Sequence, residues 1–286
     1  MDIVSQVDKK TRRDMEMEIF PYLRDHSFEG KAILPAVEAL LIMAKAVKGF
    51  YPGTDVCCLS HARFPRFLLI DAKANKQAIV LEISEDETGN IKSVLFTAVR
   101  AKTDKISRMA EHASVKFLQS RDDFPPASPF REIEKLGGRC ISVPSATIYR
   151  ELVPFGAAYQ NIKGDLSVSS EGALGYIGGG EAEVDEETLG SPFPFDAIMH
   201  MACVWGQRFT DIVSFPVGFE KRKIYRLTKK GNSYLGRIAP KDISGQRLIF
   251  DAWIYDANGV LYEAINALEM RDVTRGRRRP PQWIKG

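Results

Sequence analysis

The chain has 286 residues, which fits one large domain or two small ones at about 150 residues each. An apolar share of 44% with 27% charged residues is that of a globular protein with a real core, and excludes a mainly disordered, collagen-like or coiled-coil chain. Forty Lys and Arg against thirty-seven Asp and Glu leave a net charge of only +3, too small to make nucleic acid the default partner.

The N-terminal stretch Met1 to Glu18 mixes charges from Asp2 through Arg12, Arg13 and Asp14 around no apolar core, so it does not read as a signal peptide and a cytoplasmic location is expected. A buried helix is predicted from Ala36 to Lys48, where only Glu38 and Lys45 interrupt the apolar run, on one face. Its longest wholly apolar stretch, Ala39 to Ala44, is far short of the roughly 18 residues of a membrane span. Strands are expected at Arg66–Asp71, Gln77–Ile83, Ile91–Val99 and Ala113–Leu118. Pro125, Pro126, Pro129, Gly137 and Gly138 concentrate in the following stretch, which reads as a linker. The implied division is an N-terminal unit 1–118, a linker 119–143 and a C-terminal unit 144–286.

The second unit repeats the order of helix and then meander. A helix is expected from Asp196 to about Val213, then strands at Ile224–Leu227, Ser233–Ile238, Arg247–Tyr255 and Val260–Met270. Asp256-Ala257-Asn258-Gly259 is a hairpin signal, since Asn-Gly supplies the positive φ angles of a tight turn. The basic tail from Arg275 to Pro281 is expected to be a solvated extension.

The chain has only four histidines, so groups that exchange protons near neutral pH are few: His26, His61, His112 and His200. His26 sits in a loop, Asp25-His26-Ser27-Phe28-Glu29-Gly30, that feeds the first buried helix, with Pro35 just before that helix. Such a loop can aim a side chain into a cavity, or simply hold a satisfied polar residue. Asp196 stands near the start of the second helix, where it is either an N-cap or a reactive carboxyl. His200 lies one turn later on the same face.

His26-x-x-x-Gly30-x-x-x-x-Pro35 followed far downstream by Asp196-x-x-x-His200 resembles the paired signature of the dehydratase domains of polyketide and fatty acid synthases. Phe155-Gly156-Ala157-Ala158-Tyr159 echoes that family's Tyr-Gly-Pro-x-Phe motif, with only the glycine unchanged. Ala110-Glu111-His112-Ala113-Ser114 and Phe215-Pro216-Val217-Gly218 carry looser similarity. The resemblance implies an α+β double hotdog, two antiparallel sheets each wrapped around a long buried helix. The activity it implies is loss of water from a 3-hydroxyacyl thioester to give a 2-enoyl thioester, in polyketide or fatty-acid-like biosynthesis. It implies no cofactor of the protein's own, because the substrate rides on the phosphopantetheine of an acyl carrier protein. His26 would be the base and Asp196 the acid, with Gly30, Pro35, Phe155, Gly156, Tyr159 and His200 shaping the substrate site. The carrier protein and other synthase components would be the partners of a monomeric double hotdog or a homodimer.

That chemistry demands a closed, apolar site, because a helix N-terminus favours a carboxylate whereas burial favours the acid. Phe28, Phe155, Tyr159, Phe193 and Phe195 are available to build it, and backbone N–H groups after Gly30 are the candidate oxyanion donors. Phe155 and Ala157, where the family has Tyr and Pro, put substrate shape in doubt. Two other outcomes remain open: a product-template-like cyclase with the same pair, and a non-catalytic acyl-binding hotdog. A zinc site from Cys58-x-x-His61 and His200-x-x-Cys203 is set aside, because nothing in the sequence brings the pairs together. Four cysteines without a disulfide framework suit a reducing compartment.

Overall fold

The structure, a computed structural model, describes residues 10–100, 107–119, 124 and 128–285. In the first half, strand β1 (Lys10–Glu18) is followed by a two-residue ribbon, β2 (Ser27–Phe28) with β3 (Lys31–Ala32), and by the first long helix, Ala36–Phe50. Strands β4 (Cys58–Arg63), β5 (Lys76–Glu85), β6 (Ile91–Arg100) and β7 (Ser107–Phe117) complete that half. The second half places β8 (Ile141–Pro144), β9 (Ile162–Ser169) and β10 (Gly172–Gly178) before the second long helix, Phe193–Phe209. Strands β11 (Phe215–Ile224), β12 (Ser233–Ser244), β13 (Arg247–Tyr255) and β14 (Leu261–Arg271) follow it.

The two expected sheets are joined edge to edge. One antiparallel sheet of twelve strands runs β1-β5-β6-β7-β4 from the first half and continues β11-β14-β13-β12-β10-β9-β8 from the second. The seam is the β4–β11 pair, with Gly218 opposite Arg63 and Lys223 opposite Cys58. A side chain at Gly218 would run into the Ala62 carbonyl, and β11 slips register between Pro216 and Gly218, so this glycine permits the close approach that joins the halves. Beneath the seam, Arg222 bonds Glu263 through Nε at 2.8 Å with both side chains buried, and its guanidinium lies 4.2 Å from the Phe195 ring centroid. That contact fixes the residue next to Asp196.

Both helices sit inside the curl of the sheet, as their composition requires. Nine residues of the first, between Val37 and Val47, are buried. The second is enclosed from Phe193 through Gln207 and starts three residues before the expected Asp196, since Pro194 in the first turn lacks only an N–H that would have no intrahelical partner. Each large apolar side chain so enclosed contributes about 1.5–3 kcal/mol. No helix among the described residues is long and apolar enough to cross a membrane.

Several expectations are corrected. Arg66–Asp71 is extended but forms no strand: it pairs instead with the loop before the first helix, through Leu34 N to Leu68 O at 2.8 Å and Ile70 N to Ala32 O at 2.9 Å. Ile224 ends β11 and does not open a strand to Leu227. Strands precede each long helix as well as follow it. The tail is no free extension, because Thr274, Pro280 and Ile284 are buried. Of the expected linker, residues 120–123 and 125–127, Pro125 and Pro126 among them, lie outside the described residues, as do residues 1–9. The Asp256–Gly259 hairpin is present between β13 and β14, closed by Gly259 N to Asp256 O at 3.1 Å with Gly259 at φ +77°.

Candidate active site

His26 follows a short turn, Pro21–Asp25, and faces across its loop to Ile33. Ile33 N–H donates to the His26 carbonyl at 2.9 Å, and His26 Nδ1 lies 3.1 Å from the Ile33 carbonyl. A carbonyl can only accept, so Nδ1 carries the proton and Nε2 keeps a free lone pair. The loop closes through two consecutive left-handed residues, Glu29 at φ 50° and Gly30 at φ 73°. Burial of the ring lowers the His26 pKa to about 4, while the Asp196 charge pulls it upward. The ring is half-buried by area only because one edge opens into a cavity. At neutral pH it is a neutral base.

Asp196 is buried in the first turn of the second helix without capping it: Pro192 is the N-cap, and the first helical N–H, of Phe193, donates to Ser191 Oγ at 3.4 Å. Asp196 N–H donates to Pro192 O at 3.2 Å. One turn on, His200 Nε2 approaches Asp196 Oδ2 to 2.9 Å, off the line of a hydrogen bond, so both buried atoms keep unmet capacity. His200 Nδ1 lies 3.4 Å from Tyr149 Oη, and that oxygen accepts from Ile162 N–H at 2.7 Å. Tyr149 Oη, already an acceptor for Ile162 N–H, has its own proton to give to Nδ1, an arrangement that places the His200 proton on Nε2, toward Asp196.

His26, Asp196 and His200 line one cavity of about 210 Å³ between the two halves. Phe155 lies between the imidazoles, its ring centroid 4.1 Å from His26 and 5.1 Å from His200. Phe28, Met199 and Cys203 add apolar wall, and burial pushes the Cys203 thiol up to about 11, so it is no nucleophile. His112 also lines the cavity, but both ring nitrogens have partners, Thr97 Oγ1 at 2.8 Å and the Arg66 carbonyl at 3.3 Å.

Four of the expected substrate-site residues, Gly30, Pro35, Gly156 and Tyr159, do not line the cavity. Gly30 turns the loop. Pro35 caps the first helix. Tyr159 is fully enclosed behind His26 with ring centroids 5.1 Å apart, its hydroxyl without a partner. Phe193 and Phe195 are core for the same reason of enclosure. Among backbone donors after Gly30, Ile33 and Leu34 N–H already have carbonyl partners, whereas Ala36, which lines the cavity, has a first-turn N–H with no intrahelical partner. Among the described residues no three His, Cys, Asp or Glu side chains are placed to hold a metal ion, and His61 is exposed beside Glu220 at 3.6 Å, away from the site.

Two elements of the site escaped the sequence reading. Asp25 clasps the halves together: Gly156 N–H donates to its carbonyl at 2.7 Å and Ala158 N–H to its carboxylate at 2.9 Å. Gly156 is required there, since a Cβ would lie 2.5 Å from Asp25 Cγ. Glu38, read only as a charge interrupting a helix, is buried and accepts from the Tyr22 hydroxyl at 3.1 Å. Burial raises its pKa to about 7, Tyr22 opposing and the Asp196 charge adding to the rise. Pairing in these cases spans contacts that no local pattern announces.

The polyketide synthase dehydratase N-terminal domain family matches residues 142–280, the second half of this chain. No curated protein matches it significantly in sequence. Among solved structures, the dehydratase domain of the CurJ module of the curacin polyketide synthase superposes with a TM-score of 0.71 at 16% identity, covering 96% of each chain. The dehydratase domain of the CurF module gives 0.70 at 19% identity, covering 95% of each. That of PpsC from Mycobacterium tuberculosis, in complex with C12:1-CoA, gives 0.63 at 19%, covering 91% of this chain and 93% of its own. The chain therefore has the α+β double hotdog fold of the polyketide synthase dehydratases, and its second half carries that family's sequence pattern.

Proposed function

We propose that this chain is a 3-hydroxyacyl-thioester dehydratase, a hydro-lyase that converts a 3-hydroxyacyl group on an acyl carrier protein to the 2-enoyl thioester. The observation that carries this reading is a single apolar cavity in which one half supplies an imidazole with a free Nε2 and the other a buried carboxyl. Two similar structures are of inactive mutants of the CurK dehydratase, one a His-to-Phe and one an Asp-to-Asn substitution, which supports the same pair of residue types here.

In this reading neutral His26 takes the α-proton through Nε2, and the electrons of that C–H bond form the double bond. The C–O bond to the β-hydroxyl breaks as the Asp196 carboxyl delivers a proton to that oxygen, so that water departs. His200 Nε2–H then faces the new carboxylate and holds it in place. That carboxylate also stabilises the imidazolium, the direction of its influence on His26, and return of the proton from His26 to Asp196 resets the pair. The Ala36 N–H is placed to stabilise charge on the thioester oxygen. Phe155 and Phe28 keep bulk water from the reacting carbons.

We further propose that the expected units 1–118 and 144–286 are the two hotdogs, paired within one chain, with the second taking in β8 from Ile141, at the end of the segment 119–143. The decisive experiment is mass spectrometry of a carrier-bound 3-hydroxyacyl thioester after incubation. Loss of one water by the wild type is expected, with a drop of about 10²–10⁴-fold in His26→Ala and in Asp196→Asn. Full activity in either variant defeats the assignment, a cyclised product points to template-type chemistry, and acyl binding without turnover points to a non-catalytic hotdog.

A further inference from the structure

The second helix carries polar groups on its cavity face beyond the reacting pair. Within its enclosed stretch Asp196, His200, Cys203 and Gln207 follow at intervals of four, three and four residues, so they share one face, and all four line the cavity. At about 1.5 Å per residue, Gln207 lies roughly 16 Å along the axis from Asp196. It is 1% exposed, and its Nε2 donates to the Leu152 carbonyl at 3.1 Å and reaches Cys203 Sγ at 3.4 Å. A carbonyl only accepts, so the amide is turned with Nε2 toward Leu152, and among the described residues no donor meets its Oε1.

After the helix the chain doubles back. Thr210 donates to the Gly206 carbonyl from its N–H at 2.9 Å and from its Oγ1 at 2.7 Å, and Asp211 is left-handed at φ 58°. That turn returns Ser214 to the last enclosed turn of the helix, where its Oγ lies 3.2 Å from a Cβ placed at Gly206. Ser214 is 2% exposed and lines the cavity, and its hydroxyl has no partner among the described residues. Leu152, Val153 and Val213, neighbours of these groups, add apolar wall. An unmet hydroxyl and an unmet amide oxygen in such surroundings are costly to a fold unless something else meets them.

We propose that Ser214 and Gln207 form a polar subsite, about three helical turns from the reacting pair, that takes a hydroxyl carried on the substrate's acyl chain well beyond its 3-position. The chain hydroxyl donates to Gln207 Oε1 and accepts from the Ser214 hydroxyl, so each group meets a partner of the opposite kind. A plain hydrocarbon chain would leave both unmet. The inference rests on the dehydratase reading for the thioester and its 3-hydroxyl, and on the face of the second helix for where the further oxygen is held. The substrate class it names is a 3-hydroxyacyl thioester whose chain is itself hydroxylated.

The test uses the full chain and a series of 3-hydroxyacyl pantetheine thioesters of increasing length, each with and without a hydroxyl on its last carbon. The wild-type kcat/KM is expected to favour the hydroxylated member by about 10- to 100-fold at one length and little at the others. Ser214→Ala should bring that ratio toward one while its stability to denaturant stays at or above that of wild type, because the fold would miss a bonded hydroxyl but not an unmet one. Gln207→Met should lower the ratio too, with some loss of stability as the Leu152 carbonyl loses its donor. A wild-type ratio near one at every length, or a ratio that survives Ser214→Ala, overturns the subsite. Saturated acyl pantetheines with and without the terminal hydroxyl lack the 3-hydroxyl, cannot be dehydrated, and read the subsite by calorimetric titration. If no thioester is dehydrated yet the hydroxylated saturated ligand binds more tightly to wild type than to Ser214→Ala, the dehydratase reading fails and the subsite stands. If dehydration proceeds with no preference for the hydroxyl, that reading stands and the subsite fails.

Discussion

The two halves deliver the site from different kinds of element. The second half holds Asp196 and His200 on a helix enclosed from Phe193 to Gln207, so their positions are fixed by the core itself. The first half holds His26 on a loop with two left-handed residues, steadied by Ile33 and by the clasp between Asp25 and Gly156. One partner of the pair is therefore positioned by packing and the other by a handful of hydrogen bonds, two of which, both to Asp25, cross between halves. Damage to the loop side should reach catalysis without unfolding the protein, whereas damage to the helix side should act through the charge it orients.

Gly156→Val is the sharpest way to break the loop side. Its Cβ would fall 2.5 Å from Asp25 Cγ and push apart the segments that carry His26 and Phe155. A displacement of about 1 Å near a reacting group costs on the order of 10²-fold in rate, so kcat should fall by that order. Asp25→Ala, which removes the carboxylate bond to Ala158 without a clash, should cost less. Equal activity of Gly156→Val and wild type, measured by the same water-loss assay, removes the clasp from the account.

On the helix side, His200→Leu should lower kcat by about 10- to 100-fold, the worth of a hydrogen bond to a charged group, because nothing then faces the carboxylate formed on Asp196. His200→Gln keeps an N–H donor and should retain most of the activity. Tyr149→Phe, which removes the hydroxyl that fixes the His200 tautomer, should have a smaller effect still. If the Leu and Gln variants behave alike, His200 acts by filling space and not by donating a proton.

The structure brings His26, Asp196 and His200 to one cavity, and the sequence singles them out only through motifs that resemble the dehydratase signature, whereas both long helices are legible because they are apolar around most of their circumference. What surrounds them was not. The clasp pairs Asp25 with Ala158, 133 positions away, and no local signal marks either end. The run from Arg66 to Asp71 looks like a strand because it is apolar and extended, yet its backbone bonds go to the loop behind His26. Strand β1 is nearly all polar because it closes a sheet edge facing solvent, so it carries no alternating pattern to read. Strand β10 is glycine-rich where it packs closely on β9, with Leu166 3.0 Å from a Cβ placed at Gly175, and glycine weakens every strand signal. The tail was misread from its arginines alone, while the residues that anchor it, Thr274, Pro280 and Ile284, are ordinary in composition.

Glu38 and His26 offer the gentlest probe of the first half alone, through pH and not through geometry. Folding lowers the His26 pKa from 6.5 to about 4, so the stability tied to neutral His26 is complete above pH 6.5 and is lost as pH falls toward 4. Folding raises the Glu38 pKa from 4.5 to about 7, so the stability tied to its protonated form is complete below pH 4.5 and is lost as pH rises toward 7. Between 4.5 and 6.5 the two slopes oppose each other and should leave a plateau. Glu38→Gln keeps a neutral group for Tyr22 and removes only the second slope. Its stability relative to wild type, from denaturant unfolding, should therefore rise by about 3 kcal/mol between pH 4.5 and 7, whatever its constant offset. The water-loss rate at neutral pH should change least of all the variants, because Glu38 lies outside the cavity. A stability difference that stays flat across that interval would mean Glu38 ionises in the folded protein as it does in the unfolded chain, and that the first half carries only one titrating group behind the site.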